Sequence, residues 1–366
     1  MEARAALLTE QPGALSFGVV DVADPGPREV RVRTAACGLC HSDLHALEGQ
    51  LQTPLPSVVG HEASGIVESV GSEVTDFVPG DRVVACISQF CGSCAACVRG
   101  ETWLCQRREQ PPLIRPDDAP PRLTHAGAPA GQFLAIGGLA EYFLVHEHAL
   151  VRLRPEMPLD IAALLGCGVL TGYGTVVNRA KVRPDESVVV IGCGGVGLSA
   201  IQAAALSGAS PIIAIDLHDH ALELAKELGA TVTINANFET PTKMVRALTG
   251  GGADHAIEAI GFPKTMEDAV DMIRPGGTAY LIGIAPIPST MELSAFRLVW
   301  FNRGVQGVLM GANNFRRDIP ALADLYLAGR LPLDRLLTDR IPLEEAGTGF
   351  DAMRSGSLGR SAVVFP

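Results

Sequence analysis

One stretch restricts the fold of this chain more than any other. Ser187-Val188-Val189-Val190-Ile191 is an unbroken apolar run. Gly192-Cys193-Gly194-Gly195-Val196-Gly197 follows at once, and then apolar residues at helical spacing from Leu198 to Leu206. A strand that is apolar throughout must be covered on both faces, which is the condition of a parallel sheet sandwiched by helices. Ile212-Ile213-Ala214-Ile215 and a helix predicted over about 220–228 repeat the unit. Ala256–Ile260 and Thr278–Ile282 add further strands. The expected fold class is therefore α/β, with a doubly wound parallel-sheet domain over 169–310.

The glycine turn fits G-x-G-x-x-G between a strand and a helix, and Asp216 closes the next strand 19 residues after Gly197. Gly192, Gly194, Gly195 and Gly197 let a pyrophosphate approach the N–H groups that open the helix, with Val196 beside them. Asp216, followed by Leu217, would bind ribose hydroxyls and repel a 2′-phosphate, so NAD is expected over NADP. An ordinary glycine turn is the competing reading, and the strand–turn–helix–acid context favours the cofactor site.

The chain of 366 residues has length for about two domains. Up to about residue 165 it reads as short alternating strands, such as Glu29–Arg33, Gly65–Val70 and Asp81–Ala85, which predicts an antiparallel β domain over 1–168. Residues 106–132 hold six prolines between Pro111 and Pro129 and read as an irregular surface loop. Residues 311–366 end in a strand, Ser361–Phe365, expected to return to the first domain. A net charge of −11 argues against nucleic acid and anionic membrane as partners. No run of 18 apolar residues is present, and Met1–Glu10 lacks the features of a signal peptide. A reducing, cytoplasmic setting is expected.

Cys91, Cys94, Cys97 and Cys105 fall within fifteen residues. Such spacing lets one lobe, 91–105, wrap a tetrahedral ion, and four thiolates leave no position open, so structural zinc is the favoured reading. Two disulfides or an iron–sulfur cluster are the alternatives. Cys40 in Gly38-Leu39-Cys40-His41-Ser42-Asp43, His61 in Gly60-His61-Glu62 and Cys167 in Gly166-Cys167-Gly168 could form a Cys₂His set with one open position. On spacing alone, Cys167 reads equally as a small buried hydrophobe and His61 as a hydrogen-bonded structural residue.

With these motifs in this order, joined by Thr171-Gly172-Tyr173-Gly174, the chain resembles the zinc-dependent medium-chain alcohol dehydrogenases along essentially its whole length. The resemblance implies a GroES-like antiparallel catalytic domain and a Rossmann coenzyme domain, with two Zn²⁺ per chain and NAD. Cys40, His61 and Cys167 would hold the catalytic zinc, and Cys91, Cys94, Cys97 and Cys105 the structural one. Glu62 would lie behind the catalytic ion and exchange in as a ligand. Asp43 would orient the His61 ring. Ser42 would take the alcohol proton, which leaves through the nicotinamide ribose and His45. His41 and Arg360 would contact the pyrophosphate, and Thr171 and Val196 the nicotinamide. The resemblance also implies a homodimer or homotetramer joined through edge strands, for which Thr278–Ile284 and Leu298–Met310 contain apolar candidates.

Each smaller role has a plain structural alternative. Ser42 could cap a helix, His45 could be a surface histidine, and Glu62 could be an ion-pair partner. The chain also departs from the family pattern. No lysine follows Asp216 until Lys226, and Gln50-Leu51-Gln52-Thr53 is uncharged where thiol-dependent formaldehyde dehydrogenases carry acids. Ile87 stands where many relatives have an aromatic ring, and Ser42 is smaller than the threonine of others. With Leu51 in the pocket wall, these residues predict bulky primary alcohols and aldehydes, aromatic or medium-chain. The competing functions are a polyol or thiol-bound formaldehyde dehydrogenase, or an inactive zinc- and NAD-binding scaffold.

Overall fold

The computed structural model describes every residue except Pro112, Asp117, Ser357 and Leu358. The chain forms two compact units, Met1–Cys167 with Asn314–Pro366, and Gly168–Asn313.

The first unit is predominantly antiparallel β. Strand Glu29–Gly38 is its spine, paired with Glu62–Val70, Tyr142–His146 and the C-terminal strand Arg360–Val364. The returning strand expected at Ser361–Phe365 is thus present, antiparallel to the spine. Five shorter strands close into a barrel beside this sheet. Alternation along the strands buries Val30, Val32, Val67, Val83 and Phe143 in one core.

The proline-rich stretch 106–132 is not wholly an irregular surface loop, and two of its residues, Pro112 and Asp117, lie outside the described residues. Leu123–His125 and Ala128–Gln132 pair as a hairpin within the barrel. Ala126 and Gly127 both have positive φ, 50° and 79°, which is the two-residue turn that matches strand twist. The sequence hides it because alanine is a rare first residue in such a turn. Leu113 is fully buried against the four-cysteine lobe. A buried ion cluster ties this stretch down. Glu29 accepts from Arg122 at 2.7 Å and Arg115 at 2.5 Å, and Arg122 also donates to the Leu113 carbonyl.

The second unit carries six parallel strands, Val188–Ile191, Ile212–Asp216, Val232–Asn235, Ala253–Glu258, Ile273–Leu281 and Gly304–Gly307. In space they run third, second, first, fourth, fifth, sixth, the doubly wound order. Val188 to Ile191 are all buried, as an unbroken apolar run requires. Leu298–Met310, expected to contain an edge strand, holds it at Gly304–Gly307, after a helix Ala295–Trp300 capped by Ser294, whose hydroxyl accepts from the Arg297 N–H. No single helix among the described residues is long and apolar enough to cross a membrane.

Burial would raise the Glu29 carboxyl, but Arg115 and Arg122 outweigh it and hold it at about 2 against 4.5. A depressed carboxylate contributes stability that is complete above pH 4.5 and is lost as pH falls toward 2. Glu29→Gln should therefore cost about 3 kcal/mol at pH 7. Urea unfolding should show the gap to the wild type shrinking as pH falls from 5 to 2.

Candidate metal and cofactor sites

Strand pairing brings the first site together. Gly38 lies opposite Glu62 in the register. Cys40, two residues beyond one strand, and His61, one before the other, therefore emerge at the same sheet end. Ala362 also faces Gly38, which delivers Arg360 to that end. Gly38 leaves space for the Glu62 carboxylate, since a Cβ there would sit 2.4 Å from Oε2. Cys167 arrives from the short helix Leu164–Gly166, where Gly166 packs so closely on the Ala85 carbonyl that a Cβ would lie 2.4 Å away. The ligating atoms of Cys40, His61, Glu62 and Cys167 all fall within 4.8 Å of one another, and all four residues are buried.

Asp43 organises this cluster. It is the third residue of helix His41–Leu47, and its Oδ2 accepts from the Cys40 N–H at 3.3 Å. Its Oδ1 accepts from the Gly60 N–H at 2.9 Å and meets His61 Nδ1 at 3.2 Å. Cys40 occupies the cap position and Asp43 reaches back to it, so Ser42 is not the cap. Phe133 packs edge-on against the His61 ring at 5.8 Å. With Nδ1 on a carboxylate, Nε2 is the ring atom left to bind, and it makes no hydrogen bond despite full burial.

The electrostatics fit a cation. Hydrogen bonding from Cys167, opposed by burial and helped by His61, draws the Cys40 thiol well below its ordinary range. Burial pushes the Glu62 carboxyl up, and Arg360 pulls against it. Arg360 Nη2 donates to Glu62 Oε2 and to the Leu39 carbonyl. The side chain expected to contact a pyrophosphate is thus 7% exposed and already committed through one nitrogen. Two sulfurs, an imidazole and a carboxylate around one point suit zinc.

Ser42 Oγ lies 3.9 Å from Cys40 Sγ. His45, three residues on and so on the same helix face, is half-buried. His41 is exposed. Leu51 and Ile87 are half-buried and pack against the same core.

All nine cysteines are described and carry free thiols. Cys91, Cys94, Cys97 and Cys105 converge with sulfurs within 4.8 Å. The Cys94 N–H donates to Cys91 Sγ and the Cys91 N–H to Cys105 Sγ, each at 3.3 Å. Burial raises the Cys91 thiol, but the N–H groups of Ser93 and Cys94 bring it down to about 6. A lobe whose backbone stabilises thiolates suits a second zinc.

In the second unit, Gly192 has φ +94°, and a Cβ on Gly197 would lie 1.8 Å from the Gly192 carbonyl oxygen. Both positions require glycine. A Cβ on Gly194 would meet open space, so the approach to helix Gly195–Leu206 is clear for a phosphate, with Gly195 and Val196 half-buried in its first turn. Asp216 Oδ2 accepts from the Cys193 N–H at 2.7 Å, and Oδ1 from the Leu217 and His218 N–H groups. The dinucleotide reading fits this cradle. Leu217 is exposed, and Thr171 is buried with Oγ1 3.6 Å from Met310 Sδ.

Comparison with known proteins gives the family. Residues 26–155 match the family "Alcohol dehydrogenase GroES-like domain", and residues 195–327 match "Zinc-binding dehydrogenase". An alcohol dehydrogenase zinc-binding domain protein from Burkholderia ambifaria is 34% identical, covering 100% of this chain and 99% of its own, with TM-score 0.95. The chain belongs to the zinc-dependent alcohol dehydrogenases of the medium-chain dehydrogenase/reductase family. Benzyl alcohol dehydrogenase from Acinetobacter calcoaceticus is similar at 31% identity, with both chains fully covered and TM-score 0.94. A zinc-binding dehydrogenase from Sinorhizobium meliloti bound to NADP is similar at 26%, with both chains fully covered and TM-score 0.81.

Sequence reading missed two supporting residues of these sites. Phe133 carries no motif. Glu258 is a charged residue inside the apolar run Ala256–Ile260, which was the available signal. It is fully buried, and its Oε1 accepts from Ile260 and Gly261 N–H and from Thr265 Oγ1.

Losing the carboxylate behind a zinc-binding histidine typically weakens the metal about 10- to 100-fold. Asp43→Ala should show that loss in competition with a chromophoric chelator, with one metal per chain released early and the other unchanged.

Proposed function

We propose that this chain interconverts bulky primary alcohols, aromatic or medium-chain, and their aldehydes, with NAD as hydride carrier and two zinc ions per chain. The observation that carries the reading is the convergence of Cys40, His61 and Cys167 on one point, with Glu62 and Ser42 alongside. The site's residues favour zinc, and an acidic residue, Asp216, at the end of the second parallel strand favours NAD.

Each residue then has a physical task. Cys40, His61 and Cys167 would hold the catalytic zinc, and the 91–105 lobe the structural one. Zinc, when bound, supplies Lewis acidity and so lowers the pKa of an alcohol, and nicotinamide supplies the hydride acceptor. Asp43 fixes the His61 tautomer. Ser42 takes the alcohol proton, and His45 on the same helix face releases it to water. Glu62, balanced by Arg360, stands as a reserve ligand. His41 would serve the pyrophosphate, with Arg360 only through the nitrogens that Glu62 leaves free, and Thr171 and Val196 would serve the nicotinamide. Leu51 and Ile87 give an apolar wall, with an aliphatic side chain rather than an aromatic ring at position 87. The benzyl alcohol dehydrogenase likeness supports an aromatic substrate.

We propose a homo-oligomer, dimer or tetramer, in a reducing cytoplasmic setting. Gly304–Gly307 is an edge strand, and Ile287, Val299 and Trp300 in the same unit are 85%, 83% and 71% exposed. Light scattering should give a mass at least twice that of one chain; a monomer at micromolar concentration contradicts it.

Absorbance at 340 nm with benzyl alcohol tests the activity. It should rise with NAD, stay near baseline with NADP, and stop after chelation. The kcat/KM for benzyl alcohol should exceed that for ethanol by about tenfold or more. A rise with NADP alone would refute the cofactor choice and leave the class intact. Ethanol preferred over benzyl alcohol would refute the wide pocket. No activity on any alcohol, with metal bound, would favour the inactive scaffold.

A further inference from the structure

Gln11 lies in the turn between strands Glu2–Leu8 and Leu15–Val22, whose pairing runs up to Leu8 opposite Leu15. Its half-buried side chain makes three hydrogen bonds, all to one distant segment. Nε2 donates to the Ala46 carbonyl at 2.7 Å and to the Leu51 carbonyl at 2.9 Å. Oε1 accepts from the Thr53 N–H at 3.2 Å. Both amide hydrogens and the amide oxygen are thus committed to backbone.

The segment they hold is the end of helix His41–Leu47 and the turn after it. A helix leaves its last carbonyls without partners inside the helix. Here the His45 carbonyl accepts from the Gln50 and Leu51 N–H groups, that of Ala46 from Gly49 and Gln11, and that of Leu47 from Gly13. Gly49, at φ +75°, turns the chain out of the helix. Residues 48–56 form neither helix nor strand, so no ladder fixes the backbone there. Leu51 is instead clamped on both sides, its N–H on the His45 carbonyl at 3.1 Å and its own carbonyl on Gln11. Its side chain packs against the same core as Ile87. The paired strands that carry Gln11 therefore set where Leu51 stands.

We propose that Gln11 is a positioning residue for substrate choice, holding Leu51 in the pocket wall from a hairpin remote in sequence. This role rests on the alcohol dehydrogenase reading, in which Leu51 and Ile87 form that wall. A benzyl group offers an apolar wall much surface and ethanol little, so a loosened Leu51 costs the larger substrate more. Gln11 meets the end of the helix away from Cys40 and Ser42, so the loss falls on substrate binding rather than on the metal cluster.

Gln11→Met keeps the length of the side chain and removes all three hydrogen bonds. The ratio of kcat/KM for benzyl alcohol to that for ethanol should fall by about tenfold, with the loss in KM for benzyl alcohol rather than in kcat. In a Leu51→Ala background the same substitution should change the ratio by less than about twofold, because Gln11 acts through Leu51. Equal effects in the two backgrounds would mark a general loosening of the fold and overturn the proposal. Hydrogen exchange at the Thr53 amide reads the clamp without activity. Exchange about tenfold or more faster in Gln11→Met supports it, and equal protection overturns it. If Gln11→Met does not fold, Gln11→Glu, which keeps the acceptor and loses both donors, is read by the same ratio. An unchanged ratio in an active variant overturns the role of Gln11 and leaves the activity standing. A wild type inactive on every alcohol overturns the activity and this role with it.

Discussion

The Asp43 carboxylate is the constraint on which the metal-binding end of the first unit depends. One side chain caps the helix that starts after Cys40, holds the Gly60 N–H and orients the His61 ring. It is fully buried, so each of those hydrogen bonds is made in low dielectric, where a missing partner would be costly. Cys40 and His61 come from different strands, and only the pairing of Gly38 with Glu62 makes them neighbours. Asp43 then converts closeness into a fixed donor geometry. Gly60, with φ +88°, is what allows the chain to turn into this carboxylate.

Asp216 plays a comparable part in the second unit. Three backbone N–H groups, from Cys193, Leu217 and His218, converge on its carboxylate and lock the glycine turn to the end of the neighbouring strand. Both proposed sites therefore rest on a carboxylate held in place by nearby backbone donors. At Gly38, Gly60 and Gly197 backbone or a carboxylate passes too close for a Cβ, and Gly192 is held at φ +94°.

Much of this was legible in the sequence because local rules and tertiary demand agree there. The apolar run Val188–Ile191 can only be a strand covered on both faces, and the glycine turn needs its glycines for reasons of close approach. The four-cysteine lobe is short enough for spacing to imply convergence. The Cys40, His61 and Cys167 cluster was different. Its members are separated by strand pairings that spacing cannot show, and resemblance to a family supplied them. The hairpin at Ala126–Gly127 stayed hidden because prolines suggested a loop, whereas the twist of the barrel selects the turn. The helix Ala295–Trp300 was hidden by apolar residues that suit strand and helix equally, and the Ser294 cap decides it. Arg360 was legible only as a charge before a terminal strand; its partner Glu62 is 298 residues away.

The two metal centres we propose differ in chemistry, one built by a single lobe and one assembled from segments flanking paired strands. Metal content of the purified protein by mass spectrometry, together with that of Cys167→Ser, tests it most directly. The account predicts two zinc ions per wild-type chain and one in the variant, with the remaining ion in an all-sulfur shell by X-ray absorption. One zinc in both proteins, or a variant that loses the all-sulfur signal, would contradict it.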